Sequence, residues 1–190
     1  MSVTLLFGLL AGCGMLMALE RCGLPTTLAL HFKGDVKRET RWFAQYGQFV
    51  CTVVAAVLVW RIDARHYVKW AALGMLLIVL GTSVAAMGIK RLVSRIRPGR
   101  ENAGRFLGPH LRHANFRESF PSSHSACAVA MTVVLATLYH EGAVVFWSLA
   151  ILCALLRYAL DAHWPSDILG GIALGYGLAH GGIWLFDIHP

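Results

Sequence analysis

Apolar residues run along this chain in blocks too long for a soluble core, and polar residues gather in the gaps between them. A helix that crosses the hydrocarbon core of a bilayer needs about 20 mostly apolar residues. Val3 to Leu19 and Lys69 to Ile89 fit that template, as do Ala126 to Tyr139 with its polar lead-in, Ala143 to Leu160, and Ile168 to Phe186. One further block, Phe43 to Trp60, carries Gln45 and Gln48 near its start. Its stretch "FVCTVVAAVLVW" is nevertheless too apolar for water, and its aromatic ends suit the two interfaces. The pattern predicts an all-α fold, an integral membrane bundle of about six transmembrane helices forming a single domain over residues 1–190.

The connections are unequal. Glu20 to Trp42 and Lys90 to Ser125 are long, whereas "RIDARHYV" and "HEG" are short. With six spans, the first, third and fifth loops share one membrane face, so the polar residues of Lys90 to Ser125 and of Arg157 to Asp167 can meet. Within the first loop, "LPTTLALHF" is apolar but short and reads as a re-entrant or interfacial piece. Near the start, "LLAGC" resembles a lipidation signal, but "MSVT" supplies no basic residue ahead of it, so a retained first membrane helix is expected.

Composition agrees with this reading: the 190 residues are 57% hydrophobic and 14% charged, which excludes an ordinary soluble domain. The five cysteines lie mostly inside apolar runs without zinc or CxxC spacing and read as small buried hydrophobes. Charge adds more. Of 17 Lys and Arg residues, eight crowd into Lys90 to Arg117, opposed there only by Glu101 and Glu118. Such a patch suits the phosphates of a substrate or anionic head groups, and nucleic acid is not an expected partner. Taken alone, it would pass for a solvated juxtamembrane loop.

Arg157, near the end of an apolar helix on the same face, changes that, because ionisable groups at span ends are costly and point to function. His124 in "PSSH" at one helix start and His163 in "DAHWPSD" before another add titratable groups beside the arginines. Together these residues suit phosphoryl transfer, in which catalysis is mostly positioning and charge stabilisation. Lys90, Arg97 and Arg157 form the phosphate cradle, since Arg forks match phosphate oxygens and Lys adds a point charge. The Ser122 side chain and the backbone N–H groups of Ser123 and His124, at a helix N-terminus, supply further anion-holding groups.

A neutral imidazole attacks phosphorus when its other nitrogen is held by a carboxylate. His163 is assigned as nucleophile, Asp167 as its orienter with Asp161 as rival, and His124 as general acid. "PHLRH", with His110 and His113, has too few ligand partners to make a metal site, and no metal or cofactor is expected.

These residues resemble the type 2 phosphatidic acid phosphatases, the PAP2 superfamily, which also includes bacterial lipid phosphatases, glucose-6-phosphatases and vanadium haloperoxidases. "KRLVSRIRP" (Lys90 to Pro98) satisfies the first part of its signature, and "LRYALDAHWPSD" supplies Arg157, His163 and Asp167 at the spacing of the third. In the second, "PSSH" has Ser123 where the family usually has Gly; Leu156 replaces the Ser or Ala usual before the Arg. The resemblance implies a metal-independent lipid phosphatase working through a phosphohistidine. The alternatives are a phosphotransferase with an acceptor other than water and a non-catalytic lipid-phosphate binding or transport protein.

The resemblance also implies a multi-pass cell (inner) membrane protein with its site on the periplasmic or extracytoplasmic face. The charge count opposes that orientation: the site-bearing loops hold 14 Lys and Arg against three on the other face, and positive loops favour the cytoplasm. The substrate expected is a lipid phosphate or diphosphate drawn from the surrounding membrane lipids.

Overall fold

The computed structural model describes residues 2–24, 26–28, 40, 42–110 and 114–188. Among the described residues lie six α-helices: α1 (Val3–Arg21), α2 (Phe49–Ile62), α3 (His66–Val93), α4 (Ser123–Leu138), α5 (Ala143–Ala159) and α6 (Pro165–Leu185). Each overlaps one predicted span. Four apolar stretches, Val3–Arg21, His66–Val93, His140–Ala159 and Pro165–Leu185, are long enough to cross a membrane, while α2 and α4 are shorter.

Those two shortfalls have separate causes. The predicted span from Phe43 is broken because Ala44–Gly47 forms a 3-10 turn that tucks into the bundle. A Cβ on Gly47 would stand 2.0 Å from the His124 carbonyl oxygen, so only glycine permits this approach. Helix α4 is short because it is the bundle's axle. All residues from Ser125 to Leu135 are buried, and at about 24 Å it does not need to match the bilayer that its neighbours face.

The outer helices carry the lipid-facing surface. Phe7, Met15, Val50, Val54, Val57, Val144, Val145, Ile151, Leu155 and Trp184 are exposed large apolar residues on α1, α2, α5 and α6, as expected where the solvent is hydrocarbon. In the interior, α6 presses against α4 through small residues, the packing device of membrane bundles. A Cβ on Gly175 would lie 2.1 Å from the Ala126 carbonyl oxygen, and one on Gly171 2.4 Å from that of Ser122. Gly175→Ala is therefore expected to force the two helices apart, costing about 1–3 kcal/mol as overpacking does. Thermal unfolding in detergent should show a lowered Tm together with reduced turnover. An unchanged Tm would mean that the helices separate without cost.

The alternating helix directions bring the C-terminal ends of α1, α3 and α5 and the N-terminal ends of α4 and α6 to one end of the bundle. Most of the expected re-entrant piece from Leu24 lies outside the described residues, as does His113.

Candidate active site

Each predicted site residue occupies a helix end or adjoining turn at this one end of the bundle. Lys90 falls in the last turn of α3, which stops at Ser94 with left-handed backbone (φ 50°). Its ammonium donates to the Glu118 carbonyl at 2.8 Å, leaving two of its three protons for a ligand. Arg97, just beyond, donates from Nε to the Asn115 carbonyl at 2.8 Å and from Nη1 to that of Ala162 at 3.0 Å. It thus ties the segment before α4 to the turn that carries His163. Burial pulls this guanidinium below the usual arginine range, with Asp167 and Glu118 pushing the other way. Arg157 occupies the last turn of α5, where a cation complements the helix dipole.

Ser122 caps α4, accepting from the Ser125 N–H at 3.4 Å and from the Ser125 hydroxyl at 2.9 Å. The sequence reading gave this side chain to the phosphate; in the structure it is fully buried, and only its own proton is uncommitted. Ser123 is the first helical residue and is not among the described residues with positive φ. The family's glycine is thus replaced at a position where an L side chain fits. His124 comes next, near enough to Arg157, Lys90 and Arg97 for their charges to act on it.

His163 stands in the turn before α6 and is buried, with 1% of its surface exposed. Its Nδ1 is 3.6 Å from Asp167 Oδ2, longer than a hydrogen bond. Asp167 lies at the third position of α6, where its Oδ2 accepts the Trp164 N–H at 2.9 Å, half of a capping box, and also the Ser119 hydroxyl. The rival Asp161 lies in the turn closing α5, with left-handed backbone (φ 51°), and no contact draws it to His163. Burial pushes the His163 imidazole down to about 3 from the usual 6.5; Asp167 opposes that, and Lys90 and Arg157 reinforce it. With that shift the ring is neutral at physiological pH.

Burial of a neutral imidazole fixes the sign of a pH dependence. The unfolded chain binds this proton near 6.5 and the folded chain near 3, so the group's contribution to stability is whole above 6.5 and shrinks as pH falls toward 3. In detergent, wild type should lose more Tm than His163→Asn between about pH 7 and about pH 4.5. Equal losses would contradict a buried neutral imidazole.

Sequence reasoning passed over four residues that pack behind the site. Arg95 donates from Nη1 to Asp167 Oδ1 at 2.7 Å and to Ser166 Oγ at 2.6 Å, and from Nη2 to Glu20 Oε2 at 2.7 Å. Ser119, Ser166 and Glu20 complete this buried cluster. Glu20 had a usable signal, being an acid at the end of a span. Arg95 had none, because it was one cation among eight in its loop. His110 lies 3.6 Å from Glu118 Oε1, and among the described residues no three His, Cys, Asp or Glu side chains converge.

Residues 95–106 fold back on themselves through a bridge between Arg95 and Phe106, with the Ile96 N–H donating to the Arg105 carbonyl at 2.9 Å. The turn uses positive φ at Gly99, Asn102 and Gly104. Arg97, Arg100, Arg105 and Asn115 line a cavity of about 710 Å3 there.

An apolar helical bundle with a histidine, a carboxylate and basic side chains at one end points to a class, and comparison with known proteins names it. The PAP2 superfamily profile matches residues 67–188, and the chain belongs to that superfamily. It is 35% identical over 111 residues to a lipid A 1-phosphatase of Rhizobium etli, covering 57% of this chain and 47% of that protein. It is 34% identical to the Rhizobium johnstonii counterpart (57% and 45%) and 31% identical to that of Porphyromonas gingivalis (54% and 23%). The chain spans about half the length of the two Rhizobium relatives. Among solved structures, a transmembrane PAP2 type phosphatidylglycerolphosphate phosphatase from Bacillus subtilis superposes with a TM-score of 0.68 at 18% identity, over 96% of each chain. The fold is that of a multi-pass membrane protein.

Proposed function

We propose that this chain is a membrane-embedded, metal-independent phosphatase that hydrolyses a lipid phosphate or diphosphate through a phosphohistidine at His163. The observation that carries the reading is the buried His163, its Nδ1 3.6 Å from Asp167 Oδ2, at the end of the bundle that also holds Lys90, Arg97 and Arg157. Nε2 of His163 forms a bond to phosphorus as the bond from phosphorus to the lipid oxygen breaks, and His124 protonates that oxygen. Lys90, Arg97, Arg157, the Ser122 hydroxyl and the N–H groups of Ser123 and His124 hold the equatorial oxygens. Water then attacks the phosphohistidine, His124 taking its proton, and phosphate leaves.

Similarity to lipid A 1-phosphatases favours a glycolipid phosphate, and the Arg100 and Arg105 cavity beside Arg97 offers room for a bulky anionic head. The domain is taken to be one unit. The site is assigned to the extracytoplasmic face of the cell membrane, which a membrane-impermeant thiol reagent on Arg105→Cys in intact cells would test. For the activity itself, purified protein in chelator should release phosphate from at least one of lipid A, phosphatidate, phosphatidylglycerol phosphate and undecaprenyl diphosphate. No release from any of them would reject the reading.

A further inference from the structure

Arg95 is not among the residues assigned to the cradle, yet its two terminal nitrogens make three side-chain hydrogen bonds. Its side chain is 1% exposed, and its guanidinium lies 5.2 Å from the centres of both the Phe106 and Trp164 rings. Its two terminal nitrogens reach two carboxylates on different helices, Asp167 in the first turn of α6 and Glu20 in the last turn of α1, at 2.7 Å each. Glu20 is fixed in turn by the Ser166 N–H at 3.1 Å and by the Ser166 hydroxyl. A planar fork can bridge two acids in this way, and a lysine cannot.

The charge balance gives the arrangement a purpose. One arginine facing one aspartate would neutralise it and weaken its hold on an imidazole that becomes cationic when Nε2 bonds to phosphorus. With Glu20 present, the buried cluster of two acids and one base keeps a net charge of minus one, while Arg95 fixes which oxygen of Asp167 faces His163. Asp167 Oδ1 is taken by Arg95, so Oδ2 is left for the Ser119 hydroxyl, the Trp164 N–H and His163.

We infer that Arg95 is a positioning residue for phosphoryl transfer, acting through Asp167, and that Glu20 preserves the negative charge that Asp167 presents to His163. The inference rests on the reading of His163 as nucleophile and Asp167 as its orienter. Breaking a buried pair from one side leaves a stranded charge and can unfold the protein, whereas removing both partners often does not. The decisive variant is therefore the double substitution Glu20→Met with Arg95→Met, compared with Arg95→Lys, Asp167→Asn and Arg95→Met in the Asp167→Asn background.

The double variant should keep a Tm close to wild type yet lose kcat by about 100-fold, the cost of misplacing a catalytic group by about 1 Å, with KM changed little. Arg95→Lys should recover only part of that loss. In the Asp167→Asn background, Arg95→Met should lower kcat no further, since the two act as one unit. Wild-type kcat in a folded double variant, a loss confined to KM, or additive losses with Asp167→Asn would each overturn the inference. Wild-type kcat in Asp167→Asn alone would instead remove the orienter reading beneath it.

Discussion

His163→Ala is expected to lower phosphate release by about four orders of magnitude or more, because removal of a nucleophile abolishes the covalent route and leaves only binding and oxyanion stabilisation. The variant should still fold. Asp167 loses a partner at 3.6 Å but keeps Arg95 at 2.7 Å, the Trp164 N–H at 2.9 Å and the Ser119 hydroxyl. Its carboxylate is therefore not stranded. Phosphate release from a lipid phosphate, measured beside Tm, separates the two effects: a native Tm with no turnover is the expected pair. Turnover near wild type would require a different nucleophile, and wild-type enzyme quenched during turnover should carry acid-labile phosphate that the variant lacks.

The second large effect concerns His124. As general acid, it matters in proportion to the basicity of the leaving oxygen, so His124→Ala should slow a lipid phosphate by about 1,000-fold in kcat. An activated aryl phosphate, whose phenolate leaves without a proton, should phosphorylate His163 at nearly the normal rate. The group that protonates the leaving oxygen in the first step deprotonates water in the second, so breakdown of the intermediate stays impaired. Rapid-mixing experiments should then show a burst of one phenolate per enzyme, giving way to a slow steady rate. Equal slowing of both substrates without a burst would mean that His124 only helps to bind phosphate, beside the charges of Arg157, Lys90 and Arg97 that already act on it.

Hydropathy located each of the six named helices among the described residues, because each is an apolar block bounded by charges or turn residues. It misjudged α2, whose lead-in from Phe43 to Gln48 looks as helical as the residues after it. The turn there is set by the close approach of Gly47 to the His124 backbone, a long-range contact that no local pattern records. The gathering of the candidate residues at one end of the bundle was legible from spacing and topology. Lys90, Arg97, His163 and Asp167 have fixed spacings around helix ends, and loop parity brings those ends together.

Arg95 was not legible, since charge composition cannot distinguish a buried guanidinium from the solvated ones around it. Nor could spacing reveal that the Ser122 oxygen would accept from both the N–H and the hydroxyl of Ser125.

The placement of α4 at the centre of the bundle bears on which substitutions this protein can accept. Ala126, Ala128, Ala130 and Val134 are surrounded by protein, and each is fully enclosed. Val144, Ile151 and Leu155 on α5 look outward. Side-chain volume is constrained at the first group and almost free at the second, where one large apolar residue serves as well as another. In a saturation library selected for activity, tolerance should therefore form a radial gradient, strict along the α4 axis and permissive at the rim.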